Sequence, residues 1–313
     1  MPGHHPLKSL LLTAALCLAV SGPQLAAQAV SRPSLPPSAG SAAERLSTTP
    51  RHGEWIKIPV TGSDTLMAWL VYPFSQTSTQ RAPVVVVVHE IFGLSSWVRG
   101  VADQLAADGF IAIAPDFLSR VRGGPTSVEL NPDSARKIIA GVNQAERNRM
   151  ITAAANYAMM LPSAQNKYAV VGYCWGGSTV WGYAINGGVQ GYSGGVAFYG
   201  APYTRGGTPA TATAAAVPAT VDTDSLAKIR TPVMLLNGSK DARIGALMPD
   251  IEAAMKAANK DYYGRNYEGA VHGFLRAQDD PKSNRDETEE KANLDATRDA
   301  WPRTLAFLKR VLQ

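Results

Sequence analysis

The stretch that decides the fold is residues 168–177, which read YAVVGYCWGG. Its first five residues predict a buried strand, and the residues from Ser178 to Asn186 have the composition of a helix. Between strand and helix lies a G-x-C-x-G turn, residues 172–176. A sharp turn of this kind exposes its central residue, and it needs glycine where a side chain would collide with neighbouring backbone. The sequence therefore predicts that Cys174 is presented at the start of a helix.

Strands and helices alternate on both sides of this turn. The run PVVVVV at 83–88 is typical of a strand that is buried on both faces. The alternation predicts an α/β fold with a mostly parallel sheet and helices on both faces, whose ligands bind beyond the carboxyl ends of the strands. Strands are predicted over Trp55–Val60, Thr65–Tyr72, Pro83–Val88, Phe110–Ala114, Tyr168–Gly172, Gly195–Tyr199, Pro232–Leu236 and Tyr262–Tyr267, and further helices over Ser96–Asp108, Ser134–Leu161 and Leu294–Leu312.

Composition excludes several classes of protein. The chain has 313 residues, of which 45% are hydrophobic and 18% charged, so it is neither disordered nor fibrous. The net charge is +5, but the basic residues are scattered rather than clustered, which argues against a nucleic-acid partner.

The N-terminus has the pattern of a secretory signal peptide over residues 1–29. A basic start precedes the apolar run Leu10–Val20, and Ala27-Gln28-Ala29 supplies a cleavage site. The apolar run is too short for a membrane anchor, which needs about 20 residues. Lipoprotein processing at Cys17 is disfavoured because Leu16 is not a small residue. We expect cleavage near Ala29, a secreted or periplasmic protein and no stable membrane insertion afterwards.

Cleavage would leave Cys174 as the only thiol, because the sequence has two cysteines and Cys17 lies in the leader. Residues 30–52 are rich in Pro, Ser and Ala and are expected to form a flexible spacer. Residues 53–313 are expected to form one domain. Within it, Tyr203–Asp224 is rich in Thr and Ala and lacks periodicity, so we expect a solvated surface insertion rather than a lid.

Three residues have the types and the order of a catalytic triad. Cys174 at a helix N-terminus favours the thiolate. Of the five histidines only two lie outside the leader and the spacer, and His272 follows the last predicted strand. Asp241 follows the strand before it, whereas Asp222 and Asp224 belong to the insertion. The chain order nucleophile, acid, histidine is that of the α/β-hydrolase fold.

The loop HEIFGL at 89–94 follows the PVVVVV strand. A zinc site is rejected, because an H-E-x-x-H motif would need histidine where Gly93 stands, and we expect no metal. In this fold the loop supplies one oxyanion-hole amide and the residue after the nucleophile supplies the other. The backbone N–H groups of Ile91 and Trp175 are therefore the candidates.

These segments together resemble the dienelactone hydrolase family from about Trp55 to the C-terminus. The resemblance rests on the HEIFGL loop, the GYCWGG turn, the strand end VAFYG at 196–200, GSKD at 238–241 and VHGF at 271–274. It implies an α/β-hydrolase with a Cys-Asp-His triad that cleaves lactones or esters such as carboxymethylenebutenolide, without a cofactor.

The resemblance also implies roles for two further residues. Glu90 would lie beside the resting cysteine and raise its nucleophilicity when substrate displaces it, and Arg276 would bind a substrate carboxylate. A second substrate-binding arginine is expected after Phe117, but Arg120, Arg122 and Arg136 cannot be distinguished by motif. The leader, spacer and insertion depart from the short intracellular relatives, and this puts the dienelactone substrate in doubt.

The function expected from the sequence is hydrolysis of a small lactone or carboxylic ester through a thioester acyl-enzyme. The alternative is a non-catalytic ligand-binding or sensor protein on the same scaffold. A redox role is disfavoured because no resolving cysteine remains, and a peptidase role stays open. The oligomeric state is open, with a monomer favoured.

Overall fold

The computed structural model describes residues 1, 3, 35–62, 64–73, 81–126, 130–208 and 217–313. Residues from Ser34 to Gln313 form one compact unit. Apart from residues 1 and 3, the leader expected over 1–29 lies outside the described residues, as do residues 30–34 of the expected spacer.

A central sheet organises this unit. Its strand order is β1-β2-β4-β3-β5-β6-β9-β10, and β7 and β8 pair separately. Strands β1, β2 and β4 pair antiparallel in turn, and all the other neighbours in the large sheet are parallel. The strands are β1 Gly53–Thr61, β2 Asp64–Val71, β3 Ala82–Val88, β4 Ile111–Pro115, β5 Ala164–Tyr173, β6 Tyr192–Phe198, β7 Thr204–Thr208, β8 Val217–Val221, β9 Val233–Gly238 and β10 Tyr262–Tyr267.

Helices cover both faces of the sheet. A Cβ atom at Gly194 would meet the ring of Phe307, and one at Gly195 would meet Val180. Because consecutive strand residues point to opposite faces, the helices that carry Phe307 and Val180 lie on opposite sides. The helices are α1 Ala42–Thr48, α2 Ser96–Ala107, α3 Ser119–Arg122, α4 Pro132–Ala140, α5 Gln144–Met159, α6 Trp175–Ile185, α7 Thr223–Leu226, α8 Ala242–Gly245, α9 Met248–Ala257, α10 Phe274–Ala277 and α11 Glu287–Leu312.

The predicted α/β-hydrolase class is confirmed, and every predicted strand of the sheet is present with shifted ends. One predicted helix is wrong: Ser134–Leu161 is two helices, α4 and α5, separated at residues 141–143. Gly141 ends α4, and the Asn143 side chain accepts a hydrogen bond from the Glu146 N–H and so caps α5. A local cap therefore overrides the continuous helical composition.

Residues 35–52 differ from the flexible spacer that was expected. Ala42 of α1 is fully buried, and α1 packs on α2. The Arg51 guanidinium binds both carboxylate oxygens of Asp103, at 2.9 and 2.5 Å. The Trp97 indole N–H donates to the Pro37 carbonyl at 3.0 Å. A Pro/Ser/Ala composition carries few apolar side chains, so it does not reveal a segment that is held by its backbone and by one arginine.

The insertion after β6 is an antiparallel hairpin formed by β7 and β8. Its described side chains are exposed except for Ala219 and Val221, which agrees with a solvated surface insertion. The Asp222 N–H donates to the Tyr203 carbonyl at 2.9 Å and closes the base of the hairpin.

Candidate active site

Cys174 stands in a strained turn between β5 and α6. Its φ is +58° and its ψ is −115°, a backbone conformation that a residue with a side chain rarely adopts. A Cβ atom at Gly172 would lie 2.2 Å from the Gly176 carbonyl oxygen, and one at Gly176 would lie 2.3 Å from that of Val88. The glycines are therefore required by close backbone contacts, and the sharp turn expected around Cys174 is present.

His272 and Asp241 are brought together by the loops after β10 and β9. His272 Nδ1 lies 2.6 Å from Asp241 Oδ2, and the other Asp241 oxygen accepts the Ile244 N–H of α8 at 3.4 Å. Burial opposes ionisation of Asp241, but the hydrogen bond and charge of His272 outweigh it and lower the pKa of the carboxyl. The carboxylate is thus ionised and holds the imidazole in one orientation.

The His272 imidazole also bonds to the Cys174 thiol group. Burial favours the neutral ring, but the hydrogen bonds to Asp241 and Cys174 outweigh burial and raise the pKa of His272 to about 9. The ring is therefore charged at neutral pH. The arrangement can move a proton between a thiol and a substrate oxygen, as cysteine hydrolases require.

Glu90 and Arg276 form an ion pair beside this group. Glu90 is 4% exposed, and its Oε2 lies 3.1 Å from Arg276 Nε, although the angle is poor for a hydrogen bond from that N–H. Burial raises the pKa of the Glu90 carboxyl, while the positive charges of Arg276 and His272 oppose the shift. The carboxylate is therefore held ionised mainly by Arg276, and an anion that took Arg276 away would leave a buried charge unpaired.

Two buried phenols complete the surroundings of Glu90. The hydroxyl groups of Tyr173 and Tyr199 have no hydrogen-bond partner among the described residues. Tyr199 has a φ of +40°, and its ring centroid lies 5.0 Å from that of His272. Burial, and then the charge of Glu90, raise the pKa of both phenols, so both hydroxyls stay protonated as donors.

The candidates for a second substrate-binding arginine are occupied elsewhere. Arg120 pairs with Asp64 and Glu146, and Arg122 donates to the Pro125 carbonyl at 2.5 Å. Arg136 pairs with Asp133 at 2.8 Å and lies 5.4 Å above the Phe92 ring of the HEIFGL loop. Only Arg136 therefore contacts a loop of the site.

Arg147 is a residue of the site that the sequence did not single out. Its guanidinium lies 4.3 Å above the ring of Trp175, the residue after Cys174. It helps to line a cleft of about 710 Å³, whose other lining residues include Ser178, Tyr203, Pro218, Ala219 and Arg243. No sequence motif marks Arg147, because its position depends on how α5 packs against α6.

The described residues contain no cluster of three or more potential metal ligands. No helix among them is long and apolar enough to cross a membrane.

The fold and the site residues define an α/β-hydrolase. A family model described as "Dienelactone hydrolase family" matches residues 68–312. The chain belongs to the dienelactone hydrolase family, and the expectation of an ester or lactone hydrolase is confirmed at that level.

Several known proteins are similar to the chain. Proteins named "Putative carboxymethylenebutenolidase" include one from Synechocystis sp., 29% identical over 74% of this chain and 87% of its own length. Another, from Saccharolobus solfataricus, is 25% identical over 76% of this chain and 93% of its own. Among solved structures, a dienelactone hydrolase-like promiscuous phosphotriesterase from metagenomic libraries matches with a TM-score of 0.62 at 20% identity. The match covers 84% of this chain and 99% of that one, and it supports the fold alone.

Proposed function

We propose that this hydrolase cleaves a lactone or carboxylic ester through a Cys174-Asp241-His272 triad and a thioester acyl-enzyme. The observation that carries the proposal is the 2.6 Å contact between His272 and Asp241, with the imidazole bonded to a cysteine in a strained strand-to-helix turn. A cysteine that served only for packing would need neither the positive φ nor the imidazole.

The proposed reaction has two halves. The Cys174 thiolate attacks the carbonyl carbon, and the amides of Ile91 and Trp175 hold the resulting oxyanion. The C–O bond breaks, His272 gives its proton to the leaving alkoxide, and a thioester remains on Cys174. Water then attacks the thioester while His272 takes its proton, and the acid product and the thiolate are released.

Glu90 and Arg276 suggest a substrate that carries an anionic group. A carboxylate on Arg276 would compete with Glu90 for the guanidinium, which lies 3.1 Å away. The freed Glu90 carboxylate would be buried, so it would draw the proton of a nearby donor such as Cys174. This proposal gives Glu90 the role of raising the nucleophilicity of the cysteine.

The test is hydrolysis of 4-nitrophenyl acetate and of a simple lactone by the wild type and by Cys174→Ala. We expect the variant to lose more than about 10³-fold in kcat, and the wild type to carry an acetyl group on Cys174 after rapid quenching. Full activity in the variant would overturn the proposal. Ligand binding without any acyl adduct would favour a binding or sensor protein instead.

We also propose that the protein is exported and cleaved near Ala29. The support is the sequence pattern of residues 1–29. N-terminal sequencing of the protein recovered from an expressing bacterium tests this, and an intact Met1 on periplasmic protein would contradict it.

A further inference from the structure

His89 is buried behind the candidate oxyanion hole. Its side chain is fully inaccessible to solvent and makes two hydrogen bonds with backbone. Nδ1 lies 2.6 Å from the Glu90 carbonyl oxygen, and Nε2 lies 3.1 Å from the Phe117 amide nitrogen. A buried histidine with both ring nitrogens in use is strongly held in one orientation.

The two contacts determine which nitrogen carries the proton. The Phe117 N–H can only donate, so Nε2 is the acceptor and carries no hydrogen. Nδ1 therefore carries the proton and donates it to the Glu90 carbonyl.

The nearest carboxylate does not alter this assignment. Asp116 Oδ1 is 4.0 Å from Nε2, and the Asp116 carboxylate already accepts from Thr126 and from the Leu118 N–H. Burial lowers the pKa of His89, so the ring is neutral.

The Glu90 carbonyl and the Ile91 N–H belong to the same peptide unit. In a trans peptide the C=O and N–H bonds point in opposite directions from one rigid plane. A hydrogen bond that fixes the carbonyl therefore also fixes the direction of the N–H, away from the His89 ring. The bond also polarises the peptide, which strengthens its N–H as a donor.

The same ring contacts the other half of the oxyanion hole. The rings of His89 and Trp175 are stacked, with centroids 5.9 Å apart and planes 15° apart. The Phe117 ring meets both of them edge-on, at 5.2 and 5.3 Å. His89 thus touches the two residues whose backbone amides are the candidate oxyanion donors: Ile91 through the shared peptide, and Trp175 through its ring.

We infer that His89 is a positioning residue that orients the Ile91 amide toward the oxyanion and keeps it in register with Trp175. The inference rests on the proposed function. It separates the histidine from its neighbour Glu90, whose side chain faces Arg276. His89 does not touch substrate and transfers no proton in this role.

Two substitutions separate the hydrogen bond from the ring. His89→Asn places an N–H at the same distance from the backbone as Nδ1 but removes the stacked ring. His89→Phe keeps an aromatic ring against Trp175 but removes the donor. We expect Phe to lower kcat about 10- to 100-fold with KM changed less than about threefold, since loss of a whole oxyanion donor costs about 10²- to 10³-fold. Asn should restore most of kcat.

A tetrahedral mimic provides the readout that a general structural defect would not move. A trifluoromethyl ketone analogue of the ester accepts the Cys174 thiolate at its carbonyl carbon, and the carbonyl oxygen becomes the oxyanion. We expect His89→Phe to weaken its binding by the same factor as kcat/KM. Binding of the isosteric amide, which stays planar, should be unchanged.

The outcomes are distinguishable from failure of the proposed function. If wild-type turnover does not depend on Cys174, the proposed function fails before His89 is tested. If it does, wild-type kcat and ketone affinity in His89→Phe would overturn the inference. Should Phe fail to fold by circular dichroism, the Asn variant decides: a folded Asn variant with kcat reduced 10-fold or more overturns the hydrogen-bond role, and near-normal kcat supports it.

Discussion

His272 has different partners in the two halves of the proposed reaction. In the free enzyme, hydrogen bonds from Asp241 and Cys174 overcome burial and raise its pKa to about 9, so the ring is an acid ready for the leaving alkoxide. Once Cys174 is acylated, the thiol no longer interacts with the ring as donor or as charge. The pKa must then fall, and a neutral imidazole becomes available as the base for water.

The pH dependence of kcat/KM follows from this, because kcat/KM reports the free enzyme. A folded pKa of about 9 lies above the ordinary 6.5, so the proton is held below pH 9 and lost as the pH rises through that value. For an ethyl ester, whose leaving group needs a proton, we expect kcat/KM to fall above about pH 9. Asp241→Asn should move this alkaline limb to lower pH, because it removes the strongest interaction that raises the pKa.

The matched control is a 4-nitrophenyl ester, whose leaving group departs without a proton. Its alkaline limb should be weaker in the wild type. Asn keeps an oxygen that can accept the Ile244 N–H of α8, so the loop should stay folded. An alkaline limb that Asp241→Asn leaves in place would contradict the assignment of that limb to His272.

Sequence predicted the members of the triad better than their neighbours. Cys174, Asp241 and His272 each follow a strand, so order and strand ends suffice to place them at one edge. The 3.1 Å pairing of Glu90 with Arg276 joins two loops far apart in sequence, and only the family resemblance suggested that both matter. The unpartnered phenol of Tyr199 has no sequence signal, because a tyrosine at a strand end is usually a packing residue.

The segment 35–52 connects directly with the element that carries Arg276. The Ala39 N–H donates to the Arg276 carbonyl at 2.8 Å, and the Gln278 side-chain amide donates to the Pro36 carbonyl at 2.9 Å. Helix α10 is only four residues long, so it has few internal bonds to hold its place. The segment therefore supports the position of the site arginine as well as the fold.

Removal of this segment should reduce both stability and activity. A chain that begins at Gly53 leaves the Asp103 carboxylate without Arg51 and the Trp97 indole without Pro37. We expect it to lose at least about 3 kcal/mol in the free energy of unfolding, measured in urea, because a largely buried carboxylate loses its partner. KM for esters that carry a carboxylate should rise, since Arg276 loses the Ala39 contact.

A chain that begins at Leu35 is the control, and it should match the full-length chain in both measurements. Should the Gly53 chain not fold at all, Arg51→Met in the full chain isolates the ion pair, with a smaller expected loss of about 2 kcal/mol. Equal stability of the Leu35 and Gly53 chains would show that residues 35–52 contribute nothing.

At the scale of the whole molecule, the parallel strands bring the chemistry to one edge. Glu90, Cys174, Asp241 and His272 follow β3, β5, β9 and β10, and the hairpin follows β6 at the same edge. The alternating pattern was enough to predict this arrangement. It was not enough to predict the hairpin, because the pairing of β7 with β8 leaves nearly all of its side chains in water and so gives no hydrophobic periodicity.

The hairpin adds a wall to the cleft beside Cys174 without contributing to the core. Pro218 and Ala219 line the cleft together with Arg147 and Tyr203. A cleft of about 710 Å³ is within the range of small-molecule sites. The insertion is therefore placed to select substrates by size, which differs from the purely solvated role expected from its composition.

Excising the hairpin tests whether the enzyme uses this wall. Thr204 and Val221 face each other in the ladder, so an Asn-Gly turn can join them in place of residues 205–220. We expect the free energy of unfolding to change by less than about 1 kcal/mol, because the removed strands are mostly exposed. The kcat/KM for a bulky aryl ester should fall about tenfold, while that for the acetate changes less than about twofold, because only the larger group reaches the wall. Equal losses for both esters would indicate a general distortion of the site, and no change for either would show that the substrate does not occupy this cleft.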